Sequence, residues 1–189
     1  MLIYLHGFNS SPQSTKARQL QARLQAMGRD AEYRCPALPH RPAEAIAVVE
    51  REMAHAPAAS ITLIGSSLGG YYATWLAETH GVRAVLLNPA VTPHIGLRAY
   101  LGTQRNLYTG ASYELTERHL DELQALWVEH PTRPQRYYLV VTVGDEVLDY
   151  REAVSKYAGA RQLIVPGSDH GFVEFAQHLD SVLEFAGVV

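Results

Sequence analysis

Ser67 stands in the run Gly65-Ser66-Ser67-Leu68-Gly69-Gly70, after the apolar stretch Ile61 to Ile64 and before a helical pattern that opens at Tyr71. In such a strand-turn-helix setting, Gly-x-Ser-x-Gly places the serine on a sharp turn with small neighbours and raises its hydroxyl above the sheet as a nucleophile. With Gly near 7% of residues, the bare pattern arises by chance in roughly one chain in twenty of this length. The flanking strand and helix remove most of those accidents. A phosphate loop would need Gly-Lys-[Ser/Thr] and a dinucleotide loop Gly-x-Gly-x-x-Gly, and the turn carries neither.

A serine hydroxyl attacks well only when a base takes its proton and an acid orients that base. His170, in Ser168-Asp169-His170-Gly171 after the apolar run Leu163 to Val165, is the expected base. By itself a histidine after a strand reads as a solvated loop residue; its placement jointly with a serine and an acid reverses that reading. Asp145 follows Gly144 at the end of Val140 to Val143 and is the expected acid, with Glu146 and Asp149 as near alternatives. The order Ser, Asp, His along the chain suits this geometry. Acyl transfer also needs N–H donors for the oxyanion. Leu68, after the nucleophile, supplies one, and Phe8, in the turn His6-Gly7-Phe8 after Leu2 to Leu5, is the candidate for the second. His6 is read as a brace for that turn. Tyr71, Tyr100 and Tyr108 are candidate substrate contacts. The remaining histidines lack metal-ligand spacing, so no metal and no cofactor is expected.

These residues need a scaffold that gathers the ends of several strands. Short runs rich in Val, Ile, Leu and Tyr recur at Leu2 to Leu5, Ala31 to Cys35, Ile61 to Ile64, Ala84 to Leu87, Tyr137 to Val143 and Gln162 to Val165. With little period-2 alternation, they read as strands buried on both faces. Helical patterns lie between them. One is capped by Ser14, presents Ala17, Leu20, Leu24 and Met27 on one face, and is closed by Gly28. Others cover Pro42 to His55, Tyr71 to His80, Thr116 to Glu129 (with Leu120, Leu123 and Trp127 on one stripe), Tyr150 to Ala158 and Phe172 to Phe185. The alternation predicts a mainly parallel sheet with helices on both faces, its ligands bound outside the carboxyl ends of the strands. The stretch 89–115 is long and irregular and reads as a small cap-like insertion in a single domain, or equally as an ordinary excursion with buried tyrosines.

The 189 residues include 16 Lys+Arg and 19 Asp+Glu, a formal charge of -3, so no basic field exists to hold nucleic acid or anionic lipid. The composition, 47% hydrophobic and 19% charged, is that of a globular protein. Cys35 is the only cysteine and reads as a buried thiol. With no leader pattern and no run of eighteen apolar residues, a cytoplasmic location is expected.

Several further motifs carry a resemblance. Leu5-His6-Gly7-Phe8-Asn9-Ser10-Ser11-Pro12 with Lys16-Ala17, Gly65 to Tyr71, Leu87-Asn88-Pro89-Ala90, Gly144 to Tyr150 and His170-Gly171-Phe172 are together similar to the small bacterial esterases of the YqiA/YcfP type. These lie within the α/β-hydrolase superfamily, and the similarity spans almost the whole chain. It implies a minimal α/β-hydrolase fold with about six parallel strands rather than eight, the first two strands of the wider superfamily being absent. It also implies hydrolysis of short acyl esters, extending to acyl thioesters such as acyl-coenzyme A, without a cofactor. One departure from the wider superfamily is the direct adjacency of Gly144 and Asp145.

Three functions follow as expectations. The first is a serine esterase acting on a small-molecule ester through an acyl-Ser67 intermediate. The second is a thioesterase or acyltransferase, with Ser10, Ser11 and Lys16 meeting a phosphate of the carrier. The third is a non-catalytic ligand-binding protein of the same fold.

Overall fold

The computed structural model describes residues 1–188. Its centre is a parallel sheet of six strands: β1 (Leu2–Leu5), β2 (Tyr33–Arg34), β3 (Thr62–Ser66), β4 (Arg83–Leu87), β7 (Tyr137–Thr142) and β8 (Arg161–Val165), in the order β2-β1-β3-β4-β7-β8. The helices are α1 (Thr15–Ala26), α2 (Pro42–Met53), α3 (Leu68–His80), α4 (Pro93–Gly96), α5 (Glu117–Ala125), α6 (Tyr150–Lys156) and α7 (Leu179–Phe185). Alternate strand residues feed two separate cores. Ile3, Leu5 and Leu63 pack with α2, α3, α5 and α6, while Leu2, Tyr4 and Ile64 pack with α1 and α7 on the opposite face. The central strands β1, β3 and β7 are therefore buried along their whole length and β4 over all but its first residue, as expected of a sheet covered on both sides, while the edge strands β2 and β8 carry the exposed Arg34 and Arg161.

The strand order reverses direction at β1/β3, and Ser67 follows β3 directly. Parallel register places Leu5 beside Gly65 and Ser66 beside Leu87, so the carboxyl ends of β1, β3 and β4 lie level. The loops that follow them meet above one edge of the sheet, which is where an open α/β sheet binds ligands.

Several elements differ from the sequence reading. The strand expected from Ala31 shrinks to Tyr33–Arg34, because Asp30–Glu32 forms a 3-10 turn. Trp127 lies beyond the end of α5, exposed, with Lys156 Nζ 3.9 Å above its ring. The helix expected from Phe172 splits into a 3-10 turn at Phe175–His178 and α7, since Phe172 itself takes a left-handed backbone (φ 55). Ser14 occupies the N-cap position of α1 without a capping hydrogen bond from its side chain. The 89–115 stretch is not irregular. It holds α4 and an antiparallel hairpin, β5 (Gly102–Arg105) with β6 (Ser112–Leu115). The hairpin is tied to the loop after β1 by Leu107 N–H to Asn9 O (2.9 Å), Asn106 Nδ2 to Ser10 O (2.7 Å) and Tyr113 Oη–H to Asn9 Oδ1 (2.8 Å).

Candidate active site

Ser67 sits at φ 54, ψ -120, a backbone conformation that costs a residue with a side chain roughly 1–3 kcal/mol. Packing holds it there. A Cβ on Gly69 would lie 2.0 Å from Leu5 O, and one on Gly65 would lie 2.3 Å from Gly69 O, so the turn closes only with glycine at both places. The backbone is pinned by Ser67 N–H to Leu87 O (3.0 Å), and Ser67 O accepts from Gly70 and Ala90.

His170 Nδ1–H donates to Asp145 Oδ2 at 2.8 Å, which leaves Nε2 to accept from Ser67 Oγ–H at 3.0 Å. A carboxylate only accepts, so this pairing selects the tautomer. Asp145 is almost fully covered, with 2% of its side chain exposed. Burial opposes its ionisation, yet the hydrogen bond from His170 and those from Leu148 N–H (2.8 Å) and Val147 N–H (2.9 Å) outweigh burial and hold its pKa below the usual carboxylate value. The two neighbouring acids face elsewhere. Glu146 accepts from His170 N–H at 3.0 Å and so fastens the histidine's backbone, while Asp149 caps α6 and pairs with Arg151. Ser168 O crosses directly over Gly144, where a Cβ would meet it at 2.1 Å, so the residue before Asp145 has room only for glycine.

The Phe8 and Leu68 N–H groups have no protein acceptor among the described residues. Gly7 brings the first of them close, since a Cβ there would be 3.2 Å from Ser67 Cβ. His6 braces this turn: its Nε2 accepts from Leu38 N–H at 3.0 Å and its Nδ1–H donates to Gly7 O at 3.1 Å. Burial lowers its pKa and keeps the ring neutral.

Ser67, Leu68 and His170 open onto a cleft of about 520 Å³ whose walls include Val91, Ile95, Leu97 and Tyr100. A smaller cavity of about 280 Å³ reaches Ser67 and His170 from the other side and is lined by Lys16 and Tyr108 among others. Tyr100 and Tyr108 thus border the site. Tyr71 does not: it is buried, and its hydroxyl donates to Leu123 O at 2.7 Å. Its position on α3 turns it toward the interior and α5, so the sequence reading of a substrate contact is corrected.

Asn88 was not singled out from the sequence beyond its motif. It is buried, takes a left-handed backbone (φ 42), and binds both the β7 end and the His170 loop. An asparagine directly after a buried strand, in the position most tolerant of positive φ, was the available signal.

Among the described residues, no cluster of His, Cys, Asp and Glu could hold a metal, and no helix is long and apolar enough to cross a membrane.

A six-stranded parallel sheet with this serine turn is the α/β-hydrolase fold. Residues 1–187 match the family described as "Uncharacterised protein family (UPF0227)", and the chain belongs to that family, of the YqiA/YcfP type. A UPF0227 protein of Shewanella baltica (strain OS155 / ATCC BAA-1091) is 22% identical over 191 residues, covering 98% of both chains. Among solved structures, Est1E from Butyrivibrio proteoclasticus aligns with a TM-score of 0.70 at 18% identity over 98% of this chain and 84% of that one. The mouse alpha/beta hydrolase domain-containing protein 10 aligns with a TM-score of 0.72 at 13% identity over 97% of this chain and 89% of that one. The esterase domain of a Rhodothermus marinus protein aligns with a TM-score of 0.69 at 18% identity over 98% of this chain and 85% of that one. At these identities the structural likeness establishes the fold.

Proposed function

We propose that this protein is a serine esterase that hydrolyses short acyl esters of small molecules through an acyl-Ser67 intermediate. The observation that carries the reading is the continuous pair of hydrogen bonds from Ser67 Oγ through the His170 ring to Asp145. His170 Nε2 takes the Ser67 proton as Oγ attacks the acyl carbon, and the oxyanion forms against the N–H groups of Phe8 and Leu68. Collapse of the tetrahedral adduct breaks the bond to the leaving oxygen, which receives the proton from Nε2. A water then gives its proton to Nε2, attacks the acyl carbon and releases the acid, returning the proton to Ser67. Asp145 stabilises the imidazolium in both halves and stays ionised. The apolar cleft suits the acyl chain, and the β5/β6 hairpin acts as a small cap over the loop after β1. No step requires a cofactor.

Est1E from Butyrivibrio proteoclasticus, also seen with ferulic acid bound, and the Rhodothermus marinus esterase domain lend support by analogy of fold. The test is labelling with a fluorophosphonate, read by intact mass and by peptide mapping. Labelling at Ser67 that is lost in Ser67→Ala, together with turnover of a butyryl ester, is expected; an unlabelled Ser67 in folded protein overturns the reading.

A second reading, thioesterase action, draws on Lys16 in the smaller cavity. It uses the same steps with a thiolate leaving group. Parallel rates on a butyryl ester and its thioester separate the two.

A further inference from the structure

The β5/β6 hairpin contributes no residue to either core. A two-stranded hairpin by itself is marginal in water, so this one is held by what it touches. Gln104 and Tyr113 lie directly opposite each other in its register and are half-buried, while the neighbouring pair Thr103 and Glu114 is exposed. The two half-buried side chains converge on Asn9. Tyr113 Oη–H donates to Asn9 Oδ1 (2.8 Å), Asn9 Nδ2 donates to Gln104 Oε1 (3.1 Å), and Gln104 Nε2 donates to Tyr100 O (2.6 Å). Donors and acceptors agree along this chain, which fixes both amides in one orientation. Burial pushes the Tyr113 hydroxyl pKa up to about 12, so it stays a donor. The backbone is taken as well: Asn9 O accepts from Leu107 N–H, and Ser10 O from Asn106 Nδ2.

Asn9 stands one residue after Phe8, in a left-handed backbone (φ 52) at the second corner of the turn Gly7–Ser10. Asparagine is among the few side chains that tolerate this conformation. Within the turn, Gly7 O accepts from Ser10 N–H (3.3 Å) and from His6 Nδ1–H (3.1 Å). In a trans peptide the N–H points opposite to the C=O, so holding Gly7 O aims the Phe8 N–H the other way. The direction of that N–H therefore depends on the turn, the turn on the backbone of Asn9, and Asn9 on the hairpin.

We propose that Asn9 and Tyr113 are positioning residues for the oxyanion step: through the Asn9 side chain, the hairpin holds the Gly7–Ser10 turn in the conformation that aims the Phe8 N–H at the oxyanion. The inference rests on the esterase reading and gives the hairpin a role beyond covering the loop after β1. The clamp acts when negative charge gathers on the acyl oxygen and not when the planar ester binds, so its loss is expressed in kcat rather than KM.

Asn9→Gly keeps the left-handed backbone accessible and removes both side-chain bonds, while Tyr113→Phe removes one and keeps the ring that stacks on His40. Deleting an oxyanion donor costs about 10²–10³ in rate, and misaiming one should cost part of that: about tenfold in kcat on phenyl butyrate for Asn9→Gly and about threefold for Tyr113→Phe, with KM unchanged. Propyl trifluoromethyl ketone reports on the oxyanion directly. Ser67 Oγ adds to its carbonyl carbon, the Ser67 proton passes to His170 Nε2, and the carbonyl oxygen becomes the oxyanion. Its inhibition constant should rise by the factor by which kcat falls. In the Asn9→Gly background, Tyr113→Phe should add nothing, because the hydroxyl has lost its route to the turn. Thr103→Val, in the exposed pair of the same hairpin, should match wild type in kcat and inhibition constant. Folded Asn9→Gly and Tyr113→Phe with wild-type kcat and inhibition constant overturn the proposal, as does a loss confined to KM or one shared equally by Thr103→Val. Tyr113→Phe deletes a single hydroxyl and decides the matter if Asn9→Gly does not fold. If wild-type protein hydrolyses no ester, the esterase reading falls and the clamp's role with it; hydrolysis by wild type with unaltered variants removes the clamp alone.

Discussion

Asn88 Oδ1 accepts the N–H of Thr142 at 2.9 Å, while Asn88 Nδ2 donates to Thr142 Oγ1 at 3.0 Å, clamping the end of β4 to the end of β7. Thr142 Oγ1 in turn donates to Asp169 O at 3.1 Å, one residue before His170. The acid loop begins three residues after Thr142. One buried amide thus joins the strand beside the serine turn to the loops carrying the acid and the histidine. The side chains of the Ser67, His170 and Asp145 line contact one another at only two points, so this clamp decides their spacing as much as their own hydrogen bonds do.

Asn88→Ala should therefore cost about 1–3 kcal/mol in stability, because the buried Thr142 N–H loses its acceptor while the Thr142 hydroxyl keeps only Asp169 O. Turnover should fall through kcat more than KM, since the misplaced groups are those of the proposed chemistry and not of the cleft wall. Urea denaturation and ester kinetics on the same preparation check both parts.

Ser67 combines its proposed role as nucleophile with backbone strain. Ser67→Gly relieves the unfavourable backbone, worth roughly 1–3 kcal/mol, against a glycine entropy cost of roughly 0.5–1 kcal/mol. The variant should be about 1 kcal/mol more stable than wild type and inactive. Ser67→Ala should lose about 10⁶ in kcat, as expected when a nucleophile and its base work as one unit. Thermal melts alongside a turnover assay would show the trade.

Asp145 carries a pH signature. Its folded pKa lies below the ordinary value of 3.8, so ionised Asp145 contributes stability that is fully present above that pH and lost as pH falls through the lower folded value. Asp145→Asn should be less stable than wild type at pH 6, and the gap should close below about pH 3.8. A gap that stays constant to the lowest folded pH would contradict the assignment.

The serine turn tolerates no side chain at Gly69, where a Cβ would lie 2.0 Å from the backbone of Leu5. A shift of α3 would unpack one core, and a shift of β1 would unpack both. Gly69→Ala should cost about 3 kcal/mol or more, seen as a lowered denaturation midpoint or loss of soluble protein.

The sequence by itself determined the layered parallel sheet and, to within two residues, the places where its strands end. Unbroken apolar runs and signed helix ends are local properties, and a parallel topology leaves few ways to join them. The serine turn was legible for the same reason: its glycines, strand and helix are contiguous. Tertiary structure alone decided which of Asp145, Glu146 and Asp149 meets the histidine ring, because three carboxylates within five residues are separated only by the direction the turn gives them. It also sent Tyr71 into the core, gave the 89–115 stretch its hairpin, and set Asn88 against Thr142, 54 positions away in the chain. Those outcomes depend on which surfaces meet when two cores close around one sheet, and no window of neighbouring residues contains that information.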